Sequence, residues 1–327
     1  MKICLNMIVK NEAQVIERCL LSVRNLIDYW IIVDTGSTDG TQEKIRQLFS
    51  SIPGKLYERP WVDFASNRNE ALVLARGKAD FLLFIDADET LEISPSFQKA
   101  DLVHDFYQLR VVERNQTDIY RVSLIKDHPA WFWKGVIHEG LYASQSMVGS
   151  ILETLRKISY AEDGCRTKDP QKFVKDAAIL EKALAQEPEN SRYTFYLAQS
   201  YGNAGLYQQA IQWYKKRTTM GDHPEEVFWS FYCIGLIQQH IGSDPQEFIQ
   251  SYTEAYQYNS QRAEPLYQIA LYYYQLKLPL ISYFLSKKAS SLTLPVGSMY
   301  MHAWIYDYAA LKLLRQSAEA IGQFKEA

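Results

Sequence analysis

The sequence predicts an α/β domain with a Rossmann-like mixed sheet, followed by an all-α domain of helical repeats. Over the first 90 residues or so, short apolar runs alternate with helically spaced apolar residues, a pattern typical of strand–helix units. From residue 171 onward the spacing is helical throughout. The composition changes with the pattern, because 17 of the 23 tyrosines lie in residues 191–327. A length of 327 residues also suits two domains.

The first domain is predicted to contain four strands joined by helices, then two more strands. The predicted strands are residues 3–9, 30–33, 55–58, 81–85, 106–112 and 119–125, and helical spacing covers residues 15–23, 45–49 and 65–76. Crossovers through helices imply that the first four strands are mostly parallel, and the last two are expected to be antiparallel additions. Ligands bind beyond the carboxyl ends of parallel strands. We therefore expect residues 10–12, 34–36 and 86–88 to meet at one edge of the sheet.

The second domain repeats with a period close to that of tetratricopeptide helix pairs. The small residues Ala198, Gly235 and Ala270 recur at intervals of 37 and 35 residues. The tetratricopeptide period is about 34 residues, and its helix pairs place small residues where helices cross. Such pairs stack into a solenoid with a concave face. Asp169-Pro170 marks the boundary, so the predicted domains are residues 1–168 and 169–327.

Charge and cysteine content argue against several classes of protein. The formal net charge is −3, from 35 basic and 38 acidic residues, which disfavours a nucleic-acid binder. The 4 cysteines form no C-x-x-C pair, so the sequence predicts neither a zinc site nor a disulfide framework. No apolar run reaches the roughly 20 residues of a membrane span, and the N-terminal residues lack the pattern of a signal peptide. We expect a cytoplasmic protein without a membrane span.

Two acidic motifs at predicted strand ends carry the chemistry. Asp86 and Asp88 follow the most apolar strand and are separated by one residue, so both carboxylates leave the strand in the same direction. A divalent cation such as Mn²⁺ or Mg²⁺ would neutralise this pair and accept substrate phosphates, whereas the alternative is a solvated acidic turn. Asp34 ends the second strand, where its carboxylate is suited to accept hydrogen bonds from a base or ribose, and Gly36 permits a sharp turn beside it.

Taken together, these motifs resemble a known enzyme family. The likeness to family 2 glycosyltransferases of the GT-A fold rests on the order and spacing of residues 8–12, 33–41, 63–71 and 84–89. In addition, residues 163–170 and 192–201 resemble the linker and first repeat of bacterial glycosyltransferases with a tetratricopeptide tail. The resemblance therefore extends over most of the chain.

The resemblance implies a role for each matching residue. Asp34 would hold the uridine or ribose of a nucleotide-sugar, and Asp86 the ribose or the sugar. Asp88 would bind the Mn²⁺ or Mg²⁺ that holds the diphosphate, with His138 as a candidate second ligand. Glu139 is the candidate general base that deprotonates the acceptor. The remaining residues expected in the nucleotide-sugar site are Lys10, Asn11, Glu12, Gly36, Asp63 and Arg68.

Two of these assignments leave alternatives open. The metal ligand besides Asp88 is His138, or else Glu162 or Asp163, or the cation is held by Asp88 and phosphates alone. Indole rings stack on sugars, so Trp133 or Trp131 is expected to face the donor sugar, although both rings also suit a protein core.

The implied function is the metal-dependent transfer of a hexose or N-acetylhexosamine from a UDP-sugar, with inversion. The acceptor is expected to be a protein, a peptide or a glycan that the repeats recruit. Two alternatives compete with this interpretation. One is a tetratricopeptide adaptor with a degenerate transferase domain. The other is a haloacid dehalogenase-like phosphatase, whose Asp-x-Asp motif normally follows the first strand.

Overall fold

The computed structural model describes residues 1–113, 118–160, 163–295, 297–298 and 300–323. The chain divides into two compact units. The first comprises residues 1–115 and 119–172, and the second comprises residues 116–118 and 173–327. The predicted fold class, a Rossmann-like mixed sheet followed by helical repeats, is confirmed.

The described part of the first unit contains ten strands and three α-helices. The strands are β1 (Ile3–Val9), β2 (Tyr29–Asp34), β3 (Gly54–Glu58), β4 (Phe81–Phe84), β5 (Glu89–Ile93), β6 (Phe106–Glu113), β7 (Asp118–Lys126), β8 (Trp131–Lys134), β9 (Gly140–Ala143) and β10 (Gly149–Ser159). The helices are α1 (Ile16–Val23), α2 (Thr41–Leu48) and α3 (Phe64–Ala75). Eight strands form one sheet in the order β3-β2-β1-β4-β7-β6-β10-β5, and β8 pairs with β9 in a second sheet.

Strand directions follow the prediction at the centre of the large sheet. Strand β1 pairs in parallel with β2 and β4, and β2 pairs in parallel with β3. Strand β7 is antiparallel to β4, as expected of an addition. Strands β5 and β10, which complete one edge of the sheet, were not predicted from the sequence. There, β10 runs parallel to β6 and antiparallel to β5.

Successive residues of β1 enter two different cores. Leu5 and Met7 pack in a cluster with the buried residues of α1 and with Ile45 of α2. Cys4 packs in the other cluster, which contains Leu72 of α3. Because neighbouring side chains of a strand point to opposite faces, both faces of the sheet are covered at β1. This explains why the central strands are nearly continuous apolar runs rather than alternating patterns.

The described part of the second unit contains eight α-helices. They are α4 (Lys172–Gln186), α5 (Ser191–Asn203), α6 (Tyr207–Thr218), α7 (Pro224–His240), α8 (Pro245–Tyr258), α9 (Glu264–Gln275), α10 (Pro279–Ser290) and α11 (Ala310–Ala320). From α5 to α11, consecutive helices pack against each other. Within the described residues, none of the helices is both long and apolar enough to cross a membrane.

The predicted small residues lie where helices cross. Ala198, Gly235 and Ala270 are buried on α5, α7 and α9. A Cβ atom added at Gly235 would lie 2.5 Å from the Tyr252 ring of α8, so only glycine allows this approach. Tyrosines fill the spaces that remain, since Tyr252 is fully buried and its ring centroid lies 5.8 Å from that of Tyr232. The excess of tyrosine in this part of the chain therefore reflects, at least at these positions, packing between helices.

His302 provides a test of packing in the second unit. Its Nδ1 lies 3.0 Å from the Tyr232 hydroxyl. Burial lowers the pKa of His302 to about 4, although Glu264 opposes the shift. The unfolded chain therefore binds this proton first, and the free energy of unfolding should fall as the pH drops from about 6.5 to about 4. One histidine with this pKa shift lowers the free energy of unfolding by about 3 kcal/mol at most.

Urea denaturation at pH 7.0 and pH 4.5, on the protein and on His302→Gln, measures this contribution. The loss on acidification should be smaller in the variant, because other titrating groups are common to both proteins. Equal losses in the two proteins would show that His302 does not drive this pH dependence.

Candidate active site

The loops after β1 and β2 are joined by hydrogen bonds at the carboxyl edge of the sheet. Val9 at the end of β1 pairs with Asp34 at the end of β2, so the following residues are adjacent. The Asn11 main-chain N–H donates to Ser37 Oγ (2.8 Å), and the Thr38 N–H donates to Asn11 Oδ1 (2.8 Å). Asn11 adopts a left-handed φ of +56°, which asparagine tolerates better than most residues. The predicted meeting of residues 10–12 with residues 34–36 is confirmed.

Asp34 is fully buried and uses only one of its carboxylate oxygens within the protein. Oδ1 accepts hydrogen bonds from the N–H groups of Gly36 (3.0 Å) and Ser37 (2.8 Å), and from Gln42 Nε2 (3.0 Å). Gly36 has a φ of +102°, a conformation that favours glycine. Oδ2 is buried and has no hydrogen-bond partner among the described residues. A buried acceptor without a partner is unfavourable, so Oδ2 is suited to a donor supplied by a ligand.

Glu12 lies beside this loop in an environment that favours its protonated form. Its carboxylate accepts a hydrogen bond from the Cys165 N–H (3.3 Å). Burial raises the pKa of Glu12 to about 7, the hydrogen bond from Cys165 opposes the shift, and the charges of Asp88 and Asp39 add to it. The predicted neighbour Lys10 is exposed.

A cavity of about 240 Å³ opens beside Glu12. The residues that line it are Asn11, Glu12, Gln14, Thr38, Asp39, Asp163, Cys165 and Lys168. One wall comes from the segment after β10, where Lys168 Nζ donates to Gln14 Oε1 (2.6 Å). Asp163, one of the alternative metal ligands, forms an ion pair with Arg18 Nη1 (3.0 Å). The other alternative, Glu162, lies outside the described residues.

Arg68 links two of the predicted site residues. Its Nη2 donates to Asp86 Oδ1 (2.7 Å), and its Nε donates to Glu139 Oε1 (2.5 Å). The guanidinium carbon lies 5.0 Å from the Trp133 ring centroid. Burial acts to raise the pKa of Asp86, but Arg68 and Arg121 outweigh burial and hold this pKa well below its usual range. Asp86 is therefore a carboxylate at neutral pH.

Three charged residues next to Asp86 were missed by the sequence analysis. Glu89 Oε2 accepts from the Asp86 main-chain N–H (2.9 Å) and from Lys157 Nζ (3.2 Å). Arg121 hydrogen-bonds to Glu89 through Nη2 and approaches Asp86 Oδ2 through Nη1 (3.4 Å). Glu89 follows the Asp-x-Asp motif directly, which is a signal that the sequence offered. Lys157 offered none, because β10 was not predicted as a strand.

Asp88 differs from the acidic residues around it. It has no ion-pair partner among the described residues, whereas Asp86 and Glu89 each have two. Burial raises the pKa of Asp88 to about 6, and the negative charges of Asp86 and Glu89 add to the effect. A cation that approached Asp88 would relieve both influences.

The other predicted metal ligand, His138, lies on the surface. It is exposed and adopts a left-handed φ of +51° in the connection between β8 and β9. Within the part of the chain that the structure describes, no group of three or more His, Cys, Asp or Glu side chains is placed to hold a metal. A cation at Asp88 would therefore need oxygens from a ligand or from water, a coordination that Mg²⁺ commonly adopts.

Asp63 and the two tryptophans have structural roles. Asp63 caps helix α3, where its Oδ1 accepts from the Ser66 N–H (2.6 Å) and its Oδ2 from the Ser66 hydroxyl (2.9 Å). Trp131 and Trp133 are buried, and the Trp133 ring meets Phe84 edge to face at 5.2 Å. The Nε1 atoms of both indole rings are buried and have no hydrogen-bond partner among the described residues, so a role of either ring beside the donor sugar stays a prediction.

Comparison with known proteins identifies part of the first unit. Residues 4–100 match the sequence profile of the family described as Glycosyl transferase family 2. These residues are a family 2 glycosyltransferase domain. They contain the Asp34 loop and the Asp86 to Asp88 turn, so the resemblance expected from the sequence is confirmed. The Asp-x-Asp motif of the family 2 domain follows its fourth strand, which disfavours the haloacid dehalogenase alternative.

Among the relatives of the chain, one is named for TPR repeats and another as a glycosyltransferase. A TPR repeat-containing protein of Synechococcus elongatus is 26% identical over 260 residues, which cover 74% of this chain and 62% of that protein. The SPbeta prophage-derived glycosyltransferase SunS of Bacillus subtilis is 26% identical over 219 residues, which cover 64% of this chain and 51% of that protein. The chain thus spans between about half and three fifths of the lengths of these relatives.

Solved structures with detectable likeness include the crystal structure of S. aureus TarS. It is 14% identical and has a TM-score of 0.39, with coverage of 76% of this chain and 54% of that one. A crystal structure of MamA protein is 19% identical with a TM-score of 0.37, and the match covers 49% of this chain and 82% of that one.

Proposed function

We propose that the protein is a metal-dependent glycosyltransferase. It moves a hexose or N-acetylhexosamine from a UDP-sugar to a protein, peptide or glycan acceptor, with inversion at the anomeric carbon. The observation that carries the proposal is the pair of unsatisfied carboxylates at one edge of the family 2 domain. Within the described residues, Asp34 retains a buried oxygen without a hydrogen-bond partner, and Asp88 forms no ion pair, unlike Asp86 and Glu89.

The donor side of the proposal rests on Asp34. Its Oδ1 already accepts from three donors, so Oδ2 is the oxygen that remains to accept a hydrogen bond from a ligand. The N–H of a uracil base and the hydroxyls of a ribose are donors of matching polarity. The neighbouring cavity beside Glu12 is lined by polar and charged side chains, which suits a nucleotide better than an apolar ligand.

The metal side rests on a balance of charges. Three cations oppose three carboxylates in the ion pairs that join Arg68, Arg121, Lys157, Asp86, Glu89 and Glu139. Asp88 adds a negative charge that this set does not balance. Asp88 would hold Mn²⁺ or Mg²⁺ together with oxygens of the donor diphosphate and of water. When bound, the cation supplies Lewis-acid stabilisation of the leaving nucleoside diphosphate.

Glu139 is the proposed general base. Arg68 engages Oε1, and Oε2 takes no hydrogen bond from the described residues, so one oxygen is available to receive a proton. The acceptor loses its proton to Glu139 and attacks the anomeric carbon, while the bond to the UDP oxygen breaks and UDP leaves with the electron pair. A single displacement of this kind inverts the anomeric centre.

A thermal-shift screen of the full chain tests the donor class. Specific binding at 100 times Kd stabilises a fold by about 2.7 kcal/mol. We expect UDP-sugars to raise the Tm more in the presence of Mn²⁺ than in EDTA, and release of UDP to follow on incubation with the matching sugar. A response to other nucleotides with none to UDP-sugars would refute the donor, and absence of turnover with peptide binding would favour the adaptor alternative.

Asp34→Asn tests the donor pocket by changing one atom. Asparagine retains the Oδ1 acceptor that holds the loop, and places an NH₂ donor where Oδ2 lies. We expect the Kd for UDP to rise about 10- to 100-fold, because a hydrogen bond to a charged group contributes about 1.5–3 kcal/mol. Isothermal titration calorimetry measures the Kd. Asp80→Asn is the matched control, since Asp80 accepts from the Lys2 N–H just before β4, at the opposite edge of the sheet. An unchanged Kd in Asp34→Asn would remove Asp34 from the pocket.

A further inference from the structure

Six charged side chains of alternating sign form one continuous ion-pair network through the candidate site. In order they are Lys157, Glu89, Arg121, Asp86, Arg68 and Glu139, and each contacts the next. The ion-pair network begins at Lys157 on β10 and ends at Glu139 in the connection between β8 and β9. It passes through the turn after β4 that carries the Asp-x-Asp motif.

The Lys157 end of this ion-pair network is buried and anchors the turn after β4. Lys157 and Glu89 are both nearly inaccessible to solvent. Glu89 accepts three hydrogen bonds, from Lys157 Nζ, from Arg121 and from the Asp86 main-chain N–H. The last of these fixes the backbone where the Asp-x-Asp motif begins. Removing one partner from a buried ion pair leaves an uncompensated charge, so the arrangement resists displacement.

The Glu139 end of the ion-pair network is held by one planar group, the guanidinium of Arg68. Arg68 donates through Nε to Glu139 and through Nη2 to Asp86, so a single guanidinium sets the separation of the two carboxylates. Its side chain is mostly buried and lies beside the Trp133 ring, which restricts its rotation. A lysine carries a single ammonium group on a flexible side chain, so it cannot donate to both carboxylates in this fixed geometry.

We propose that Arg68 is a positioning residue, which holds Glu139 at a fixed distance from the Asp-x-Asp turn, and that Glu89 anchors that turn. The proposal rests on the function proposed above, because Glu139 is taken as the base. It differs from the role that the resemblance implied, in which Arg68 contacts the donor directly. Two of the three guanidinium nitrogens, Nε and Nη2, already donate to protein carboxylates. A positioning role predicts a change in kcat, whereas direct binding of the donor predicts a change in KM.

A double-mutant cycle in the full chain separates these roles. The assay follows UDP release from UDP-glucose and UDP-N-acetylglucosamine with Mn²⁺, using water as the acceptor. We expect Arg68→Lys to lower kcat about 30- to 100-fold with the donor KM changed less than about threefold. In a Glu139→Gln background the same substitution should change kcat less than about threefold, because the group that Arg68 positions is already absent.

Two controls keep the test decisive. Arg76 directly follows helix α3, the helix that carries Arg68, and it forms a comparable ion pair with Asp127 (2.9 Å). Arg76→Lys should therefore leave kcat unchanged. Circular dichroism verifies folding, and Glu89→Gln, which should also lower kcat at constant KM, replaces Arg68→Lys if that variant does not fold. Equal losses from Arg68→Lys in both backgrounds, or a loss confined to KM, would overturn the positioning role alone. Failure of the unmodified protein to turn over either donor would overturn the proposed function and this inference with it.

Discussion

Asp88→Asn should abolish nearly all metal-dependent turnover while making the metal-free protein more stable. Turnover should fall about 10²- to 10³-fold, the usual cost of removing one group that stabilises charge in a transition state. The metal-free protein should gain about 2 kcal/mol at pH 7, because burial and the charges of Asp86 and Glu89 raise the pKa of Asp88 to about 6. The raised pKa means that the folded state favours the protonated form, so an uncharged amide relieves the repulsion.

Initial rates of UDP release with Mn²⁺, and urea denaturation in EDTA, measure the two effects. Asp101→Asn is the matched control, because Asp101 is exposed and remote in sequence from the motif. It should alter neither quantity. A variant that is less active and also less stable would identify Asp88 as a structural residue, and one that retains full turnover would remove it from the metal site.

Glu226→Gln should destabilise the second unit by about 3–5 kcal/mol, the range for breaking a buried ion pair. Arg217 and Glu226 are both fully buried, with Arg217 Nη2 3.1 Å from Glu226 Oε2. Arg217 also donates to the carbonyls of Met220 (3.2 Å) and Asp222 (3.2 Å) in the connection between α6 and α7. Removing the carboxylate charge leaves the buried guanidinium with neutral carbonyl acceptors and the exposed Asp222 carboxylate, whose Oδ1 lies 3.5 Å from Arg217 Nη2.

Hydrogen exchange of the full chain resolves this effect by region. Peptides from α6 and α7 should exchange faster in Glu226→Gln at neutral pH, whereas peptides from β1 and β4 should not change. Glu254→Gln on the exposed face of α8, where Glu254 accepts from Gln250 Nε2 (2.9 Å), is the control and should leave exchange unchanged. Protection of α6 and α7 equal to that of the unmodified protein would show that the carbonyl contacts and Asp222 suffice to hold Arg217.

The parts of the fold that were predicted correctly are those with local signals. Strands β1, β2 and β4 are continuous apolar runs because both faces of the sheet are covered there, and each run ends abruptly at a polar residue. Strand β10 was missed because it carries Glu153, Arg156 and Lys157 among its apolar residues. A buried lysine in a strand is tolerated only when a counter-ion is present, and the counter-ion Glu89 lies on another strand.

The sequence by itself determined the order of strands and helices, the small residues at helix crossings, and the acidic residues that end β2 and β4. These features depend on neighbours in the chain, or on one period of a helix or strand. Only the tertiary structure decided which charges meet. Arg68 reaches Glu139 across 71 positions of sequence, and Lys157 reaches Glu89 across 68. Ion pairing has no sequence period, because it depends on which side chains the packed sheet brings within about 4 Å and on the burial that excludes water from them.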